Sequence, residues 1–204
     1  MTAPEDDDDL QPLGVTCTST DCENGLHCFL QKERKRSGFP RRGGPCRDCN
    51  VDLIAWDRVN ARDLQDAAYT FEALRNELIR HVFWHSTFNE GELNHATRKG
   101  RLGMRDAARK RVESSVGRPQ HPREGRQTPF SGNVLYHAQH AVAACCRKCI
   151  EYWHAIPADR ELEPAEIDYF VELIMLYIGE RLPTLADEPK KVPPRRRAVT
   201  VSAS

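Results

Sequence analysis

Four stretches of this chain carry apolar residues at helical spacing. From Arg62 to His85, Leu64, Ala67, Phe71, Leu74, Leu78 and Val82 form one stripe, with Asn60 or Asp63 placed to cap its start. From Gly103 to Ser115, Met104, Ala107, Ala108 and Val112 face opposite Arg105, Arg109 and Lys110. Between Val134 and Ile156 there is no Gly or Pro, and Val134, Ala138, Ala141, Ala144, Ile150 and Trp153 recur at spacings that predict one continuous helix stopped by Pro157. The last helix is expected over Pro164 to Leu182, opened by Glu163, Pro164 and Glu166 and buried through Ile167, Phe170, Val171, Ile174, Tyr177 and Ile178. The pattern predicts a mainly α protein.

Charge and composition refine that picture. The 204 residues balance to zero formal charge, but from an acidic start and a basic middle and end. The expected organisation is an acidic disordered tail over 1–14, a cysteine-rich segment like a zinc knuckle or zinc ribbon over 15–58, a small helical domain over 59–182, and a basic, Pro-rich disordered tail over 183–204. The longest apolar run, Tyr169 to Ile178, is interrupted by Glu172, so no membrane span is expected. The start, MTAPEDDDDLQPLG, has neither a basic n-region nor an apolar core, which places the chain in the cytoplasm. In that reducing compartment eight cysteines read as metal ligands rather than disulfides.

The cysteines fall in two groups. Cys46 and Cys49 have knuckle spacing beside Gly44 and Pro45, and Cys17 and Cys22 are the natural second pair, with Cys28 or His27 as alternatives to one of them. The second group lies in HAQHAVAACCRKCIEYWH, residues 137–154. On one helix Cys146 and Cys149, or Cys145 and Cys149, point the same way, and His140 and His154 are within reach to complete four donors. Alternatively Cys46 and Cys49 complete the site begun by Cys146 and Cys149. Thiolates with imidazoles are the donor set of tetrahedral zinc; an iron–sulfur cluster is the lesser alternative.

From Arg98 to Arg126 ten Lys and Arg stand against Asp106, Glu113 and Glu124. Arginine dominates, and its planar fork suits phosphate. Arg98, Lys99, Arg101, Arg105 and Arg109, with the loop Lys32 to Arg42, are therefore candidate contacts to DNA or RNA.

The order Gln127-Thr128-Pro129, Gly132, Ala138-Gln139-His140, Cys145-Cys146-Arg147, Cys149, Trp153-His154, Ile156-Pro157 resembles an uncharacterised bacterial family, a domain of unknown function, over roughly residues 75–180. The resemblance implies that the helical part is a unit in its own right, with the early cysteines an addition. It favours His140, Cys146, Cys149 and His154 as one metal site and Cys17, Cys22, Cys46 and Cys49 as another. His137 and Val142 depart from the family pattern.

Three functional readings follow. The first is a zinc-stabilised module that binds nucleic acid. The second is a metal-dependent hydrolase, nuclease-like, using His81, His85 or His95 beside a pocket lined by Gln127 and Gln139. The third is a protein-interaction adaptor with structural zinc. A catalytic metal keeps an open coordination position and a structural one is closed by four protein ligands, which separates the first reading from the second.

Overall fold

The computed structural model describes residues 14–31, 42–119, 121–123 and 125–192. The acidic run 1–13, most of the basic loop at 32–41 and the PPRRR tail lie outside the described residues. Among those described the protein is mainly helical, with α1 Trp56–Ala61, α2 Ala67–Leu74, α3 Leu78–His85, α4 Glu90–Ser115, α5 Val134–Ala141, α6 Arg147–His154 and α7 Pro164–Arg181.

Helix α7 is the centre of the assembly. It packs against α2, α4 and α5, and Tyr169, Phe170, Val171, Leu173, Ile174, Met175, Tyr177 and Ile178 are all buried. A helix apolar around most of its circumference belongs inside the other elements rather than on one side of them. Its start is closed by a reciprocal pair of bonds between Glu163 and Glu166, and Arg160 reaches Glu166 at 2.6 Å.

Two of the expected helices are broken. The stripe over 62–85 divides at Arg75–Glu77 into α2 and α3. After the break the buried positions slip by one, so that Ile79 and Phe83 are buried where Leu78 and Val82 were expected. The freed backbone is taken up by the cysteine-rich segment: His27 N–H donates to Asn76 C=O at 2.7 Å, and Leu78 N–H donates to His27 C=O at 3.0 Å. The stripe over 134–156 divides at residues 142–146, where Ala143 adopts φ 54° and Cys146 is the extended residue before α6. Gln139 bridges this second break, its Nε2 donating to Ala144 C=O while its Oε1 accepts from Arg111 and Thr128.

Two boundaries also differ from expectation. The cysteine-rich segment shares the helical core: Phe29 meets Trp56 and Trp153 edge-on, with centroids 6.2 and 6.0 Å apart. Residues beyond 183 are docked as far as Lys190. Arg101 and Leu102 N–H groups donate to Ala186 and Asp187 C=O, and Lys190 N–H to Thr97 C=O. Gly100, at φ 65° inside α4, makes this possible, because a Cβ there would lie 2.5 Å from the Asp187 carbonyl oxygen.

Candidate metal centres

The first donor group is built from two tight turns. Asp21 and Leu26 exchange backbone bonds of 2.7 and 3.0 Å around Gly25 at φ 73°, which turns Cys22 and His27 towards each other. Opposite, Cys46 N–H donates to Val51 C=O and Asn50 N–H to Cys46 C=O, with Asn50 in the left-handed region, so that Cys46 and Cys49 share a side. Arg47 N–H donates to Cys28 C=O at 2.9 Å and locks the turns together. The result is a cluster of Cys22, His27, Cys46 and Cys49, whose donor atoms lie within 4.8 Å of one another.

Two of its edges have the lengths of a tetrahedral zinc site. Cys22 Sγ stands 3.7 Å from Cys46 Sγ, and Cys49 Sγ stands 3.5 Å from His27 Nδ1. With zinc at its usual bond lengths, two thiolates on one ion are separated by about 3.8 Å and a thiolate and an imidazole nitrogen by about 3.5 Å. The group is electrostatically prepared for an ion. Burial works against the Cys46 thiolate, but backbone donors at Asp48, Cys49 and Cys28, with His27, bring the thiol down to about 6. Cys22 is pushed up to about 11 by burial and by its thiol neighbours Cys49 and Cys46, as expected when several sulfurs share one site.

The second group, Cys145, Cys146 and Cys149, is buried, again with all sulfurs within 4.8 Å. The break between α5 and α6 assembles it. On an unbroken helix Cys145 and Cys146 would point about a hundred degrees apart; with residues 142–146 outside both helices, the two sulfurs stand with Cys149 in the first turn of α6. Arg80 of α3 comes in beneath. Its guanidinium lies 3.3 Å from Cys149 Sγ and 3.9 Å from Cys145 Sγ, and donates to His140 C=O at 2.7 Å. Glu77 holds Arg80 at 2.8 Å and accepts from Tyr152 and Trp153 at 2.6 and 2.7 Å. Burial opposes the Arg80 charge, but Cys149 and Glu77 offset it and keep the guanidinium protonated. Cys149 is held well below the usual thiol range by bonds from Cys145, Cys146 and Cys17, with Arg80 adding to them.

Three sequence assignments change. Cys17 does not stand with Cys22, Cys46 and Cys49, whose fourth donor is His27; the Cys17 thiol instead contacts Cys149. His140 is not turned to the sulfurs. Its ring stacks on Phe83 at 4.2 Å, and Nε2–H donates to the Thr128 and Pro129 carbonyls. His154 donates from Nε2 to Val142 C=O at 3.1 Å and sits edge-on to Phe170. Burial lowers these imidazoles to about 4 and about 3, so both are neutral packing groups that pin the loops around the α5–α6 break. Sequence reasoning left out Arg80 and Glu77, whose Glu-x-x-Arg spacing looks like any surface pair until the fold buries it.

The hydrolytic candidates belong to neither group. His81 and His85 stack on each other at 4.0 Å, and His95 lies on α4. Gln139 is fully buried in the break rather than lining a pocket. Along the basic stretch, Arg105 pairs with Glu172 at 2.9 Å, Arg109 with Asp168, and Arg101 with Asp187 at 3.5 Å. Three of the five expected phosphate contacts are thus engaged by α7 and the docked tail. Elsewhere His95, Lys99 and Lys110, with Asp106 and with Arg111, which is already bonded to Gln139 and the Gln127 carbonyl, line a concavity of about 400 Å³ that also receives Asn133, Leu135 and Tyr136 at the start of α5. Burial, then Lys99 and Arg98, push His95 down, which reports a positive local field. Among the described residues no helix is long and apolar enough to cross a membrane.

The profile of an uncharacterised family, Domain of unknown function (DUF4186), matches residues 68–179. No solved structure matches this chain. Since the match spans more than half of the sequence, the chain belongs to the DUF4186 family, and residues 14–61, with the first donor group, lie before the matched region.

Proposed function

We propose that this DUF4186 member is a zinc-braced binding module whose partner is a polyanion, DNA or RNA. The observation that carries the metal assignment is the pair of tetrahedral edges, 3.7 and 3.5 Å, in the Cys22, His27, Cys46, Cys49 group. Four protein donors leave no position for a reacting water, which supports a structural ion over a hydrolytic one. The close approach of the sulfurs favours a single ion over an iron–sulfur cluster, which interposes its own iron and sulfide between the cysteines. Around this group the secondary structure is only a 3₁₀ turn at Cys22–Asn24 and isolated bridges. Such a segment relies on metal for much of its folding free energy.

The polyanion assignment moves from the stripe 98–109 to the α4–α5 concavity. There Lys99, Lys110 and Arg111 converge on the positive end of α5. The arginine pairs with α7 leave Arg105 and Arg109 a smaller share than their sequence positions promised.

Two measurements test the reading. Elemental analysis of the purified chain is expected to find zinc, reduced by about one equivalent in His27→Ala. Lys99→Ala with Lys110→Ala should weaken binding of a DNA or RNA oligonucleotide and flatten the log–log salt slope by about 2. Full zinc retention in His27→Ala would remove the metal assignment, and unchanged binding in the double variant the polyanion.

A further inference from the structure

We infer that Cys17, Cys145, Cys146 and Cys149 form a second, all-thiolate zinc centre, which fastens the segment before the family domain onto that domain. Three of the ligands come from the family-matched region and one from outside it. Cys145, Cys146 and Cys149 already present their sulfurs within 4.8 Å of one another. Three donors do not close a structural zinc site. The Cys17 thiol interacts with Cys149 of the trio from outside the 4.8 Å group, on a loop set by Cys28, whose thiol donates to the Cys17 carbonyl at 3.3 Å. A backbone turn, with Ser19 N–H donating to Thr16 C=O at 3.1 Å, spans Cys17.

The surroundings fit an ion carrying excess negative charge. Zinc bound by four thiolates has a net charge of about −2, and the protons lost on binding pass to solvent. A charge of that kind in a core needs a fixed cation. Arg80 supplies one, 3.3 Å from Cys149 Sγ, and Glu77 holds the arginine in place without touching the sulfurs. Besides bonding the His140 carbonyl and Glu77, this fully buried arginine approaches two of the three sulfurs, which ordinary apolar filling would not require.

This second centre is independent of the first, because the two share no ligand. It also gives Cys17 a structural consequence: with the ion in place, residues 14–31 are tied to α6 as well as to the first group. Apart from it, Phe29 against Trp153 and the His27 backbone bonds are among the contacts that hold this segment to the helices.

The test uses the full chain and three substitutions. Cys17 is exposed as a residue, so Cys17→Ser leaves no cavity in the core. Wild type is expected to hold about two zinc ions per chain. After a chelator challenge Cys17→Ser should keep about one, with backbone hydrogen exchange over residues 14–20 rising at least about tenfold; His27→Ala should lose the other ion and keep this one. Substituting cobalt in His27→Ala should then give sulfur-to-cobalt charge-transfer bands that Cys146→Ala weakens. Two full equivalents in Cys17→Ser with unchanged exchange would overturn the inference while leaving the first centre intact. A wild type with one ion, lost in His27→Ala and kept in Cys17→Ser, would overturn it equally. One ion kept in His27→Ala and lost in Cys17→Ser would uphold it and remove the first centre instead.

Discussion

The two donor groups show opposite ways of bringing cysteines together. Around Cys22, His27, Cys46 and Cys49 the backbone makes short turns, Cys49 is exposed, and few apolar side chains stand behind the ligands. Around Cys145, Cys146 and Cys149 the core comes first: α5 packs on α3, α4 and α7 and α6 on α1, Val134, Ala138, Ile150 and Trp153 are all fully buried, and the break between α5 and α6 delivers the sulfurs. In the first region backbone turns shape the group, and the proposed ion would add to what Phe29 and Cys46 contribute through the shared core. In the second the core shapes the site, and a buried ion pair adjusts its charge. The same chemistry therefore has different dependencies, and each can be attacked separately.

The largest effect is expected at Arg80. Arg80→Met keeps the apolar stem but strands the Glu77 carboxylate beside Tyr152 and Trp153 and removes the cation from Cys149. Losing one partner of a buried pair costs about 3–5 kcal/mol, so chemical denaturation should show a loss of that size. The first group, which Arg80 does not touch, should keep its metal. A loss below about 1 kcal/mol would show that the core group does not depend on its countercharge.

The middle effect is pH dependence. His140 and His154 are neutral in the folded protein at about 4 and about 3, whereas an unfolded histidine takes a proton near 6.5. Between those values the unfolded chain binds more protons, so stability is full above about pH 6.5 and falls as pH is lowered towards the folded values. At pH 5 each ring should subtract about 2 kcal/mol. Nuclear magnetic resonance titration checks the cause: both rings should stay neutral at pH 5. A ring that titrates near 6.5 would sever the link between the α5–α6 break and acid sensitivity.

The smallest effect is expected where neither region reaches. Arg105→Ala and Arg109→Ala remove pairs with Glu172 and Asp168 whose partners are all substantially exposed. Each should cost at most about 1 kcal/mol and shrink further in high salt. A much larger loss in thermal unfolding would mean that α4 and α7 are held by charge rather than by Met104, Ala108 and Val112 against α7.

The helical class, the position of α7, the second half of α4 and the suitability of the cysteines for a metal were legible in the residues; the first half of α4, from Glu90, was not. Period and capping act over a few positions: Asn89 with Glu92, and Glu163 with Glu166, close helix starts with their own neighbours. The knuckle at Cys46 and Cys49 was legible for the same reason, since its turn is made within six residues. The two helix breaks were not. At Arg75–Glu77 the apolar stripe continues in sequence, and only the backbone of His27, some fifty residues away, makes it favourable to interrupt the hydrogen-bond ladder there.

The chain by itself thus determined that its sulfurs are suited to a metal and that most of its length is helical, because both follow from residue type and short-range spacing. Which sulfur stands with which was decided by tertiary structure alone. Cys17 and Cys22 are neighbours along the chain yet face different groups, and His140 and His154 bond loop carbonyls through Nε2 and belong to neither donor group. A donor's partner depends on distance in space, and that distance is set by how α3, α5, α6 and the cysteine-rich turns pack, information that no local pattern contains.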